Sequence, residues 1–168
     1  MEIAPLIKKA EKTVSLLKEK NLKLATAESC TGGMLSAFIT SVSGVSEIFE
    51  LGITSYSCRI KNEILGVDSD ILETKGAICE ETAKQMAENV RKKAKSDIGV
   101  SVTGVAGPSP SEGHPVGYIF VGVAGKDETI VRLLNLGPED RDVLRTNTVS
   151  AVFDLIEEYI KGKENDKS

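Results

Sequence analysis

The 168-residue sequence predicts an α/β fold, a three-layer α/β/α arrangement around a mixed sheet of about five strands. Three observations carry this. Helical and strand patterns succeed one another in the order α-β-α-β-α-α-β-β-β-α. Ile98-Gly99-Val100-Ser101-Val102 reads as a continuous apolar run, as a central strand buried on both faces requires. Residues 116–123 and 129–134 flank the turn Gly125-Lys126-Asp127 at hairpin spacing, which adds an antiparallel pair to the sheet.

Each element follows from local pattern. Residues 5–20 place Ile7, Ala10, Val14 and Leu17 on one helical face, with lysines opposite. A strand at 22–28 runs into a helix at 32–42, closed by Ser43-Gly44, and residues 48–57 read as the second strand. Asn62 to Val67 reads as a short helix ending at Gly66. A longer helix spans 80–95 with Ala83, Met86, Ala87, Val90 and Ala94 inward, and Cys79 stands at its N-cap, where Ser or Asp would serve better. Pro138 opens a C-terminal helix that turns Leu144, Val152, Leu155, Ile156 and Tyr159 inward, and residues 161–168 read as a frayed charged tail. With no internal repeat, linker or low-complexity segment, 1–168 reads as one domain.

Composition narrows the function classes. The chain is 40% hydrophobic with a net charge of −4, which argues against nucleic-acid binding through a basic surface. The basic run Arg91-Lys92-Lys93 falls late in a helix, where it complements the dipole. No apolar stretch is long enough to span a membrane, and Met1-Glu2-Ile3-Ala4-Pro5 lacks the apolar region of a signal peptide, so a cytoplasmic location is expected. Three cysteines, Cys30, Cys58 and Cys79, fit no CxxC pattern and leave an odd count; reduced thiols and no metal site are expected. Neither a dinucleotide-binding GxGxxG nor a GxxxxGK[ST] phosphate loop occurs.

Four constellations can carry chemistry. Thr26-Ala-Glu-Ser29-Cys30-Thr31-Gly32-Gly33 reads as strand, sharp turn and helix, which sets the Ser29 hydroxyl beside backbone N–H groups. Cys30 competes with it, since a thiolate at a helix N-terminus is activated. His114 is the sole histidine, so a lysine base is at least as plausible as a Ser-His-Asp triad. Lys61, beside Tyr56 at the end of the second strand, is that candidate; the two residues equally fit a surface lysine and an edge aromatic. Thr103-Gly104-Val105-Ala106-Gly107-Pro108 leaves the most buried strand as a ligand loop or a plain tight turn. Arg141 and Arg145, one helical turn apart at a helix N-terminus, read either as an anion clamp or as partners of Glu139, Asp140 and Asp142.

In this order the segments resemble the C-terminal domain of the competence/damage-inducible CinA family, whose stand-alone members act as nicotinamide-nucleotide amidohydrolases. The matching stretches are Thr26 to Gly33, Gly52-Ile-Thr-Ser-Tyr56 with Lys61 and Leu65-Gly-Val67, Gly76-Ala77, Thr103 to Pro108, Pro115-Val-Gly117, and Asp140-Arg141 with Arg145. The resemblance implies hydrolysis of the carboxamide of nicotinamide mononucleotide, with Ser29 as nucleophile and Lys61 and Tyr56 as its activating partners; the partner it implies is a small-molecule nucleotide, bound by a homo-oligomer without a cofactor. Substrate contacts are then expected from Cys30, Thr31, Gly32, Gly33, Thr103, Gly104, Ala106, Gly107, Arg141 and Arg145. A nucleotide-binding regulatory module without turnover, or another serine amide hydrolase, would use the same frame. Two departures stand out: Ser109-Pro110-Ser111 replaces the family's usual Gly-Gly, and Cys79 replaces a common serine. Full-length relatives carry a large N-terminal domain that this sequence does not include, and its functions are not carried over.

Overall fold

The computed structural model describes residues 3–165. It has helix α1 (Ile3–Glu19), strand β1 (Leu24–Glu28), α2 (Met34–Thr40), β2 (Phe49–Thr54), α3 (Cys58–Glu63), α4 (Ser69–Thr74), α5 (Glu80–Ala94), β3 (Ile98–Gly104), β4 (Tyr118–Ala124), β5 (Thr129–Asn135) and α6 (Arg141–Asn165). A short 3₁₀ turn, Val45–Glu47, precedes β2. The strand order is β2-β1-β3-β4-β5, with β2, β1 and β3 parallel and β4 and β5 added antiparallel. This is the expected three-layer mixed α/β fold.

One sheet face packs on α1, α2 and α6, through Leu17, Leu35, Phe153 and Ile156 against Leu24, Val100 and Val121. The other packs on α5, where Met86 and Val90 meet Ala25 and Ala27. The small residues of β1 let α5 approach that face, and β3 is buried along nearly its whole length. Burying one side chain such as Phe153 contributes about 2–3 kcal/mol.

Register positions the site. Glu28 pairs with Thr54 on one side and Val102 on the other, so the carboxyl ends of β1, β2 and β3 are level. Two further ladder bonds extend past the strands, Ser55 N–H to the Glu28 carbonyl and Ser29 N–H to the Val102 carbonyl. Ser29 and Ser55 therefore leave the sheet side by side, next to the end of β3.

Several expected boundaries moved. Leu6 rather than Ile7 begins the buried stripe of α1, which also takes in Thr13. The helix expected at 62–67 lies at Cys58–Glu63, because the Ser57 hydroxyl caps it by accepting from Ile60 N–H. Helix α4 was not expected; Asp68 caps it, and Leu72 is its one buried residue. Pro138 lies ahead of α6 rather than in its first turn, and Asp140 provides the first carbonyl acceptor, for Leu144 N–H. The expected tail is helical to Asn165, held by ion pairs of Lys161 with Glu157 and Lys163 with Glu128; residues 166–168 fall outside the described residues. Cys79 does cap α5, its sulfur accepting from Thr82 N–H at 3.4 Å.

Candidate active site

The turn after β1 is built around a carboxylate. Glu28, 1% exposed, accepts from the N–H groups of Gly33, Leu35 and Ser36 at 2.9–3.1 Å and from the Ser36 hydroxyl at 2.6 Å. A buried anion at a helix N-terminus is favoured by the helix dipole and by donors that would otherwise lack partners. Gly33 reaches this geometry with φ of 89°, a left-handed conformation that glycine adopts without strain. Gly32 N–H goes to the Ser29 carbonyl. The two glycines thus shape the turn, but their N–H groups are spent on the protein. This corrects their expected role as substrate donors. The N–H groups of Cys30 and Thr31 are left without a carbonyl or carboxylate acceptor among the described residues.

Ser29, 8% exposed, sits on this turn with its Oγ 3.0 Å from Lys61 Nζ. Lys61 comes from α3 and is fully buried; its ammonium end also donates to the Ser55 carbonyl at 2.7 Å. Burial holds its pKa below the ordinary lysine value, against smaller opposing contributions from Cys58, Cys30 and Glu112. A lysine in this state spends more time as a neutral amine able to take a proton from the hydroxyl it touches.

Cys30 borders the same cleft. It is 5% exposed and joins the apolar core beneath α2, and burial pushes its thiol up to about 12. A thiol held protonated is a poor nucleophile, which fits the expectation that Ser29 rather than Cys30 would attack.

Tyr56 stands at the mouth, 63% exposed, and its hydroxyl accepts from Arg141 at 3.1 Å. Among the described residues Tyr56 makes no hydrogen bond to Lys61 or Ser29, so its contact is with Arg141 rather than with the pair it was expected to activate. Arg141 also donates to the Gly107 carbonyl at 2.6 Å. Arg145 is separate: it donates to the Thr31 carbonyl at 2.8 and 3.3 Å and meets Asp142 at 3.6 Å. The expected two-arginine clamp is therefore divided. Arg141 faces the cleft, whereas Arg145 fastens the turn that carries Ser29 to α6.

The cleft itself measures about 230 Å³ and is lined by Ser29, Lys61, Tyr56, Arg141, the 103–107 loop and Glu112. Two of the expected loop residues also hold the fold together. The Thr103 hydroxyl donates to the Ala77 carbonyl at 2.7 Å. A side chain on Gly104 would fall 2.5 Å from Ile119 Cα, so its bareness admits β4. Thr103, Gly104, Ala106 and Gly107 all line the cleft, as expected. A wider groove of about 730 Å³ borders α1 and the start of α6, but no hydroxyl there is bonded to a lysine. Among the described residues no cluster of His, Cys, Asp and Glu could hold a metal ion.

Sequence reasoning missed three contributors. Glu28 lay inside the highlighted octapeptide, and an acid between strand and helix was a usable signal. Glu112 falls in the loop that departs from the family pattern. The Ser55 carbonyl is backbone and left no signal.

Comparison with known proteins follows the same frame. Residues 6–160 match the model of the CinA C-terminal domain. A competence-damage inducible protein of Caldanaerobacter subterraneus is 46% identical over 93% of this chain and 38% of its own length. A CinA-like protein of Thermotoga maritima is 40% identical over 94% of this chain and 38% of its own length. The chain thus spans less than two-fifths of the curated relatives it matches. The crystal structure of the competence/damage inducible protein CihA from Agrobacterium tumefaciens superposes with a TM-score of 0.88 at 28% identity, covering 91% of this chain and 94% of that one. A competence or damage-inducible protein from Enterobacter asburiae gives 0.87 at 30%, over 91% and 97%.

Proposed function

The chain belongs to the CinA C-terminal domain family, and on that premise we propose that it hydrolyses the carboxamide of nicotinamide mononucleotide to nicotinate mononucleotide and ammonia. The observation that supports this best is the Ser29–Lys61 contact of 3.0 Å on a fully buried lysine.

In the proposed reaction neutral Lys61 accepts the Ser29 proton as Oγ attacks the carboxamide carbon. The C–O bond forms, and the charge gathering on the carbonyl oxygen is received by the N–H groups of Cys30 and Thr31. Lys61, now an ammonium steadied by the Ser55 carbonyl, gives the proton to the departing nitrogen. The C–N bond breaks and ammonia leaves an acyl-serine. Water then attacks the same carbon, loses its proton to Lys61 and displaces Oγ, which recovers a proton as the acid departs. A positioned general base of this kind contributes about 10²–10⁴-fold.

Arg141 borders the cleft at its mouth, with guanidinium N–H groups to spare beyond its two contacts, and suits the ribose phosphate. The experiment is direct: incubate the protein with nicotinamide mononucleotide and measure ammonia and the acid nucleotide. Equal amounts of both support the amidase. Tight binding without either product makes the domain a nucleotide-binding module instead.

A further inference from the structure

We propose that Glu112 forms an anionic wall of the Ser29 cleft and selects carboxamides carried on a cationic aromatic ring over those on an uncharged ring. The proposal rests on the amidase reading above and deepens it. Glu112 is the one carboxylate among the described residues that line the cleft.

The residue is placed with some effort. Its backbone has φ of 50°, a left-handed conformation that costs a non-glycine residue free energy. It is kept there by a tight turn in which Ser111 and His114 exchange two backbone hydrogen bonds, while the His114 ring stacks on Tyr118 at 4.4 Å. Oε2 accepts from Ile78 N–H at 3.1 Å and lies over Gly76, where any Cβ would collide with it. The notch in the backbone fits this carboxylate. Oε1 takes no hydrogen bond from the described residues, and the Glu112 charge is felt at Lys61.

The cleft therefore offers an anion at Glu112 and a cation at Arg141, with the Ser29–Lys61 pair on its wall. A nucleotide with a positive ring and a negative phosphate matches both signs. An uncharged aryl amide of the same shape satisfies only one.

A purely structural Glu112 would hold the loop through Ile78 and care nothing for ring charge. Glu112→Gln separates the two roles, since its amide oxygen keeps the Ile78 contact and the charge is lost. The test measures Kd, in Ser29→Ala protein with and without Glu112→Gln, for nicotinamide mononucleotide and for the uncharged benzamide riboside 5′-monophosphate. Loss of Glu112 charge is expected to weaken the first about tenfold and the second less than about twofold, at fixed ionic strength. Equal weakening of both, or no weakening of the first, overturns the proposal. If the wild-type protein binds the cationic nucleotide but releases no ammonia, the amidase reading fails while the Kd ratio still decides Glu112. If neither nucleotide binds, both fail.

Discussion

Lys61 Nζ lies 3.0 Å from Ser29 Oγ although the two residues are 32 positions apart, and the lysine has no exposed surface. Two strand ends brought level by the β1–β2 register create that contact. A buried lysine has lost hydration that its charged form needs, so the neutral form gains ground. In the proposed reaction this gives the site a base without a histidine.

A pH–rate profile should show this directly. Activity should rise with pH through a group titrating below an ordinary lysine, and Lys61→Ala should lower kcat by about 10²–10⁴-fold across the range. Rescue of Lys61→Ala by a small added amine would mark the loss as chemical.

The same burial predicts a stability signature. The unfolded chain holds the Lys61 proton to higher pH than the folded one, so between the folded pKa and the ordinary lysine value the unfolded state binds more protons. Folding stability contributed here is full above the ordinary value and lost as pH falls through the folded one. Lys61→Met should remove this contribution, so its difference from wild type in denaturant unfolding should favour the variant most at low pH.

Glu28 is predicted to be a stability residue that acts on catalysis through the turn. Glu28→Ala leaves three backbone N–H groups and the Ser36 hydroxyl without their acceptor, and should cost about 3–5 kcal/mol, or roughly 10 °C in Tm. Thermal unfolding of the variant against wild type measures it.

The residues around Arg141 and Arg145 should behave differently from each other. Arg141→Ala is expected to raise KM with little change in Tm, since the side chain contacts an exposed Tyr56 and one loop carbonyl. Arg145→Ala removes both hydrogen bonds to Thr31 and should lower kcat with about 1–3 kcal/mol of stability. Tyr56→Phe should leave kcat within about tenfold of wild type, well short of the loss of a general base. Steady-state kinetics and melting curves on the three variants separate these outcomes.

Much of this was legible in the sequence, for identifiable reasons. Apolar runs and periodicity gave the five strands and the long helices, because burial on a sheet writes a local pattern. Strand ends marked Ser29, Lys61 and the 103–107 loop as neighbours. Short helices escaped, since α3 is set by the single hydroxyl of Ser57 and α4 buries one side chain. Long-range donors and acceptors escaped too. Nothing local in sequence says that Arg141 reaches Tyr56 across 85 positions, or that Glu28 claims the N–H of Gly33. Adjacency alone could not choose between Ser29 and Cys30, and only the family resemblance pointed to Ser29.

The central claim is that Ser29, not Cys30, attacks the carboxamide. Ammonia release from nicotinamide mononucleotide, measured side by side for wild type, Ser29→Ala and Cys30→Ala, tests it most directly. The account predicts release abolished in Ser29→Ala and largely preserved in Cys30→Ala. Release preserved in Ser29→Ala and lost in Cys30→Ala would contradict it.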